Sequence, residues 1–297
     1  MLPDRGPEAA AARVLAAADL AEARRVCEVD PVSSVLAASR VDVASRAGLA
    51  AAGGQLWGFP AEGPLAAVCW AGANIVPVVP ATLSRSERDD AVIAFAASAR
   101  HLGRRSSSIV GDKEVALRLW ELLSRVWPPA REVRTDQPSL MIDRDPDVEP
   151  DARVRRSDPA ELDLVLPACV RMFTEEVGYS PVSGGSGAYA SRVRSLMADG
   201  RSFVRVDADP QGRPMIGFKA ELGAVAGQVA QVQGVWVDPL LRGRGLSAPG
   251  MAAVVTLTRQ HVAPTVSLYV NAFNAPALRT YRRVGFEQVG TFATVLF

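Results

Sequence analysis

The residues best suited to chemistry in this chain lie in a short loop, Arg242-Gly243-Arg244-Gly245. The loop follows an apolar run rich in β-branched residues, Val232 to Val237, and opens into a helix-like segment, Leu246 to His261. Two glycines allow the backbone to curl so that consecutive N–H groups point the same way, and a helix N-terminus adds the positive end of its dipole. The sequence therefore predicts a pyrophosphate cradle whose donors are the amides of Arg242 to Ser247.

A second polar segment follows that helix and a further apolar run, Val266 to Asn271. It reads Asn274-x-x-Ala277-x-x-x-Tyr281-x-x-x-Gly285-Phe286. An Arg-Gly turn alone is common at protein surfaces, and a tyrosine on a helix is more often a core residue than a catalytic one. What carries information is the ordered set of strand, glycine loop, helix, strand and Asn–Tyr–Gly-Phe segment at compact spacing.

This ordered set resembles the GNAT superfamily of acyl-CoA-dependent N-acyltransferases. The resemblance covers roughly residues 152–297, and its specific motifs occupy about 235–286. It implies acetyl-CoA as cofactor and transfer of an acetyl group to an amine of a small molecule, or of a protein lysine or N-terminus. The loop departs from the family pattern, Gln/Arg-x-x-Gly-x-Gly/Ala, at its last position, where Ser247 stands. Serine is small and can hydrogen-bond a phosphate, so we expect the change to be tolerated.

The resemblance also implies roles for individual residues. In that family the strand before the loop separates from its neighbour, and its backbone N–H groups, here at Val235 and Val237, bind the pantetheine arm and the thioester oxygen. Tyr281 matches the general acid that protonates the CoA sulfur, while Asn274 could bind cofactor or simply cap the helix that starts near Ala275. The residues expected to bind cofactor are Val235, Trp236, Val237, Arg242, Gly243, Arg244, Gly245, Leu246, Ser247, Asn271 and Asn274.

No single residue stands out as the general base. The strand before the loop, Gln228 to Gly234, carries glutamines and no carboxylate. Glu221 ends the preceding strand and is the nearest carboxylate in sequence. Glu175 and Glu176 precede a glycine- and serine-rich loop, 178–187, where they could attract a cationic amine, relay its proton, or form a solvated helix end. The catalytic candidates are therefore Tyr281, Glu221, Glu175 and Glu176.

A charged, proline-containing segment, Asp143 to Asp151, predicts the junction between two domains, residues 1–145 and 152–297. The second half reads β-α-α-β-β-β-α-β-α-β. The first half has a similar coarse order, but its segment Pro80 to Ser86 lacks glycine, so we expect a GNAT-like domain without a cofactor loop; an unrelated α/β domain is the alternative. The predicted fold class is α/β (α+β), with two tandem GNAT-like domains, each a mixed, mainly antiparallel sheet flanked by helices.

The composition limits the partners. With 33 Lys and Arg against 32 Asp and Glu, the net charge is +1, which favours neither nucleic acid nor an anionic membrane as partner and counts against a transfer-RNA-dependent reaction. Three cysteines spaced singly argue against disulfides and metal sites. Without a signal peptide or a long apolar stretch, we expect a cytoplasmic monomer or homodimer. A catalytically silent acyl-CoA-binding regulatory protein is the alternative function, favoured by the missing strand carboxylate.

Overall fold

The computed structural model describes residues 11–183, 185 and 187–297. Two compact units are present. Unit 1 contains the described residues up to Ser139 together with Tyr269–Ala272 and Gln288–Phe297, and unit 2 contains Leu140–Leu268 and Phe273–Glu287. The contiguous domains 1–145 and 152–297 stay a prediction, and the first ten residues of the former, like residues 184 and 186 of the glycine-rich loop, lie outside the described residues.

Unit 1 is built on a sheet whose strands follow the order β1-β2-β3-β4-β5-β12. Neighbours are antiparallel except for the parallel pair β4 and β5. The strands are β1 Arg13–Val14, β2 Gln55–Phe59, β3 Ala67–Ala71, β4 Asn74–Val78, β5 Ser108–Asp112 and β12 Glu287–Leu296; β6, Glu132–Ile142, is divided between the units after Ser139. The helices are α1 Leu20–Glu28, α2 Pro31–Ala47, α3 Arg85–Leu102 and α4 Lys113–Leu123.

Two hydrophobic cores lie on opposite faces of this sheet, because successive strand residues point to opposite sides. Trp57 and Cys69 belong to the core that includes α3 and α4, whereas Leu56 and Val68 belong to the core that includes α1 and α2. Strand β12 contributes to both, with Val295 in the first and Phe292 in the second. The strand is therefore an integral part of unit 1.

Unit 2 is built on strands in the order β11-β10-β9-β8-β7. The pairs are antiparallel except for β10 and β11, which run parallel. The strands are β7 Arg155–Arg156, β8 Ser202–Ala208, β9 Pro214–Ala226, β10 Val229–Val237 and β11 Thr265–Tyr269. The helices are α5 Leu162–Val177, α6 Gly187–Ala198, α7 Ser247–His261 and α8 Ala275–Val284.

Helix α7 packs very closely against β9. A Cβ atom on Gly250 would lie 2.8 Å from the ring of Phe218, so only glycine allows this approach. Residues of α5 and α6, such as Cys169 and Met197, form a separate core with Val204 and Trp236 of the strands. The sheet thus holds α7, and the loop that precedes it, in a fixed position.

The predicted fold class is confirmed: the molecule is a mixed, mainly antiparallel α/β protein. The amphipathic spacing from Lys113 to Val126 predicts a helix over that range, but α4 ends at Leu123, and Val126 is 61% exposed and gains no burial from helical continuation. The apolar run from Ser139 to Ile142 predicts a strand, but β6 begins at Glu132, because the mostly polar residues 132–136 extend it along a partly exposed stretch. No helix among the described residues is long and apolar enough to span a bilayer.

The predicted junction, Asp143 to Asp151, lies within unit 2, where it is hydrogen-bonded to α7 and α8. The Asp147 amide donates to the Val284 carbonyl at 2.9 Å and the Asp151 amide to the Pro249 carbonyl at 3.0 Å. Arg205 donates to the Asp151 carboxylate at 2.8 Å. The segment is therefore an ordered part of the fold.

Candidate active site

The glycine loop leaves a row of backbone donors unused. Gly243 and Gly245 have φ values of +77° and +76°, and a Cβ built on either would meet nothing within 4 Å. The amides of residues 243–246 donate no hydrogen bond in the part of the chain that the structure describes, whereas the Arg242 amide donates to the Pro239 carbonyl at 3.4 Å. The open amides at the N-terminus of α7 are suited to phosphate oxygens, so this loop fits a nucleotide-bearing ligand such as an acyl-CoA.

The side chain of Arg242 folds back onto the strand that precedes the loop. Its Nε donates to the Val237 carbonyl at 3.1 Å, and its Nη2 lies 2.5 Å from Oε2 of Glu175. The same Glu175 oxygen accepts from the indole Nε1 of Trp236 at 3.3 Å. The first residue of the loop is therefore fastened both to β10 and to the end of α5.

Strands β10 and β11 separate as the resemblance implied. Their pairing runs from Val229 to Gln231 and goes no further along the described residues of β10. The Asp238 amide donates to the carbonyl of Gly217 in β9 at 3.0 Å. Because backbone groups of successive strand residues point to opposite sides, the amide and carbonyl of Val237 point away from β9, into the opening. This places a backbone donor beside the gap.

Tyr281 lies in α8, packed edge-to-face against Phe286 with ring centroids 5.8 Å apart. Burial raises the pKa of its hydroxyl above the ordinary range, and the charge of Glu176 adds to the shift. The phenol is therefore held in its protonated form, as a general acid must be. The neighbouring Thr280 hydroxyl lies 3.2 Å from that of Ser247, which connects α8 to the first residue of α7.

The two asparagines have protein partners. The Asn274 side chain accepts from the Ala277 amide at 3.2 Å and so caps α8, which is one of its two predicted roles. Asn271 belongs to unit 1, where its Oδ1 accepts from Gln137 Nε2 at 2.9 Å. A cofactor contact by either residue stays a prediction.

The three candidate carboxylates differ in their surroundings. Glu221 is buried and lies 2.7 Å from Lys219 Nζ. Burial works to raise its pKa, but the charge of Lys219 and hydrogen bonds from Lys219 and Cys169 outweigh it and hold the pKa below the ordinary value. Glu175 is paired with Arg242. Glu176 is exposed, and its charge adds to the effect of burial in raising the pKa of Tyr281.

The interpretation of the sequence missed Lys219. A signal was available, because Lys219 and Glu221 alternate with Phe218, Ala220 and Leu222 in a run that is otherwise apolar. Opposite charges two residues apart on a buried strand share one face and indicate an internal ion pair.

Comparison with known proteins bears on both halves of the chain. Residues 189–286 match a family model described as the acetyltransferase (GNAT) family, and residues 54–165 match one described as a domain of unknown function, DUF4081. Streptothricin acetyltransferase of Streptomyces lavendulae is 31% identical over 144 residues, which are 48% of this chain and 68% of that protein. This chain belongs to the GNAT acetyltransferase family.

Other similarities extend this assignment. Mycothiol acetyltransferase of Mycobacterium sp. (strain JLS) is 32% identical to this GNAT protein over 133 residues, 41% of this chain and 42% of that one. A solved tandem GNAT protein from the clavulanic acid biosynthesis pathway has a TM-score of 0.54 at 14% identity, covering 96% of this chain and 98% of that one. The predicted tandem GNAT fold and the class of enzyme, an N-acetyltransferase, are confirmed.

Proposed function

We propose that this GNAT protein binds acetyl-CoA at the loop Arg242 to Ser247 and transfers the acetyl group to a primary amine of a small molecule. The observation that carries the proposal is the set of open amides at residues 243–246, presented by two glycines in left-handed conformation. The relatives reported above are named for streptothricin and mycothiol, which supports a small molecule over a protein as acceptor.

Acetyl-CoA, when bound, supplies an activated acyl group in the form of a thioester. The loop amides would hold its phosphates, and the backbone N–H of Val237 would orient the thioester carbonyl in the gap beside β10. The Tyr281 hydroxyl gives its proton to the departing sulfur. Glu176 takes the proton from the incoming amine, because its charge already acts at Tyr281, beside which the amine must arrive.

Two glycine variants test the cradle. In Gly245→Ala the backbone must either keep a strained left-handed conformation or change it, so we expect acetyl-CoA affinity to fall about tenfold or more. Gly212→Ala is the matched control, since Gly212 has φ +80°, an equally open Cβ position and a place in the β8–β9 turn. Calorimetry on both variants decides, and an undiminished affinity in Gly245→Ala would refute the cradle.

A silent acyl-CoA-binding regulator is the second candidate. The observation in its favour is that β10 carries no carboxylate and that Glu221 is committed to Lys219. An assay of CoA release with small-molecule amines, lysine peptides and peptides with free N-termini separates the two. Acetyl-CoA binding without transfer to any amine supports the regulator, whereas transfer to small amines alone supports the enzyme proposed here.

A further inference from the structure

Lys219 is buried without solvent exposure in the middle of β9. Its ammonium donates to the Gly234 carbonyl at 3.0 Å and lies 2.7 Å from Oε1 of Glu221. The Cys169 thiol donates to the same Glu221 oxygen at 3.2 Å.

The carbonyl that Lys219 binds belongs to a β-bulge. Gln233 is paired with Glu221 and Trp236 with Lys219, so Gly234 and Val235 together face a single residue of β9. Gly234 has φ +60°, which a residue with a side chain rarely adopts. A bulge turns the residues that follow it, and those residues lie where β10 has left β11.

We propose that Lys219 is a positioning residue: by binding the Gly234 carbonyl it fixes the bulge and so sets the direction in which β10 presents the backbone amide of Val237 to the thioester of the cofactor. This inference rests on the proposed function, because it concerns the same gap. Lys219 is fully buried, so its role is to position the backbone of Gly234 and not to contact the reacting groups.

Stability alone does not account for this ion pair. Two apolar side chains of similar volume usually stabilise a buried site at least as well as a charged pair, because burying charges is costly. An apolar residue at position 219 would, however, leave the Gly234 carbonyl without its donor. Glu221 neutralises the ammonium, and Cys169 donates to Glu221, so the network holds the Lys219 donor in one place.

The experiment compares K219M/E221Q, which removes both charges and the donor to Gly234, with E221Q, which keeps the amine. Cys169→Ala is a further control, since it changes the same network but leaves the bond from Lys219 to Gly234. The primary measurement is the ratio of acetyl-CoA affinity to CoA affinity by calorimetry, which isolates the contact to the acetyl group and requires no acceptor. We expect the ratio to fall about three- to tenfold in the double variant, as for one lost hydrogen bond, with CoA affinity retained.

Turnover with an amine found active on the wild type is the second measurement. We expect it to fall about 100-fold in the double variant, as for a misplaced reacting group, and to stay near wild type in Cys169→Ala. If the double variant fails to fold, Gly234→Ala replaces it: a Cβ there would lie 3.3 Å from Lys219 Nζ and strain the bulge, so the same fall in the affinity ratio is expected.

Three results would overturn the inference. The first is an unchanged affinity ratio in the folded double variant or in Gly234→Ala. The second is a parallel loss of CoA and acetyl-CoA affinity, which indicates general damage to the site. The third is an E221Q variant whose affinity ratio and turnover fall as far as those of the double variant. The loss would then come from removing the Glu221 carboxylate and not from removing the Lys219 donor. If the wild-type chain binds acetyl-CoA but transfers its acetyl group to no amine, the proposed enzymatic function is refuted. The inference about Lys219 is still tested in that case, because the affinity ratio requires no turnover.

Discussion

Arg242 and Glu175 form an ion pair, with Nη2 and Oε2 2.5 Å apart, between the first residue of the glycine loop and the last turn of α5. Trp236 donates to the same oxygen, so a single carboxylate joins α5, β10 and the loop. Glu175 and Glu176 are adjacent in sequence and equivalent by composition. In the structure Glu175 binds Arg242, whereas the charge of Glu176 adds to the effect of burial in raising the pKa of Tyr281.

Glu176→Gln tests the base. We expect kcat to fall by about 10²–10⁴-fold, as is typical when a general base is removed, with acetyl-CoA affinity retained. Glu175→Gln is the control: it weakens a partly exposed ion pair, so we expect a loss of stability below about 1 kcal/mol and a modest rise in KM for acetyl-CoA. Steady-state kinetics on both variants tell them apart, and the opposite pattern would assign the base to Glu175.

Tyr281→Phe tests the acid. The Tyr281 hydroxyl makes no hydrogen bond within the described part of the chain, so its removal should leave the melting temperature nearly unchanged while kcat falls about 10²–10⁴-fold. Because burial raises the pKa of Tyr281, the group stays protonated and causes no loss of kcat below about pH 10.

Tyr189→Phe is the matched control for that variant. The Tyr189 hydroxyl donates to the Cys169 carbonyl at 3.1 Å, so its loss should lower the free energy of unfolding by about 1 kcal/mol and leave the turnover of the folded protein near wild type. Equal kinetic losses in the two variants would contradict the assignment of Tyr281 as acid.

The chain should bind one acetyl-CoA. In unit 1 the segment Pro80 to Ser86 has no glycine, and the start of α3 satisfies its own donors: Ser84 Oγ accepts from the Glu87 amide at 3.3 Å, and the Glu87 carboxylate accepts from the Ser84 amide at 2.9 Å. That carboxylate occupies the helix N-terminus and repels phosphate. Calorimetry on the full chain should give a stoichiometry near one, and a saturable second site would contradict the prediction.

Alkaline pH should destabilise the fold. Burial raises the pKa of the Cys27 thiol to about 12, from about 9 in the unfolded chain. Since the folded state favours the protonated thiol, its contribution is fully present below pH 9 and is lost between about pH 9 and 12, at about 1.4 kcal/mol per pH unit. Cys27→Ala removes this dependence, so urea titrations from pH 8 to 11 should show a shallower decline than in the wild type. Identical slopes would show that Cys27 does not contribute.

Local signals predicted much of the fold and of the site. Turn residues flank the short apolar run from Gln55 to Phe59 and predict a strand there, which is β2. The helical period from Ser86 to Leu102 predicts α3, which begins one residue earlier, at Arg85, because Ser84 and Glu87 form a capping box. The glycine loop and the placement of Tyr281 on α8 were also accessible, because each depends on residues a few positions apart.

Features that depend on distant residues were not accessible. Glu221 was a candidate base by its position in sequence, but it lies against Lys219 and Cys169, the latter 52 residues away. The contact of Glu175 with Trp236 spans 61 residues. The bulge at Gly234 also escaped prediction, because it follows from the register between two strands and a glycine alone does not reveal it.

The position of β12 has a consequence for protein synthesis. In unit 1 this strand pairs with β5, yet the ribosome makes it roughly 175 residues after Asp112. At ordinary elongation rates roughly 10–35 s pass between the synthesis of β5 and the synthesis of β12, its partner strand. Throughout that interval an apolar edge, Ser108 to Gly111, is open to pairing with other emerging chains. Translation speed and chaperone capture therefore bear directly on how much of this acetyltransferase reaches its native state.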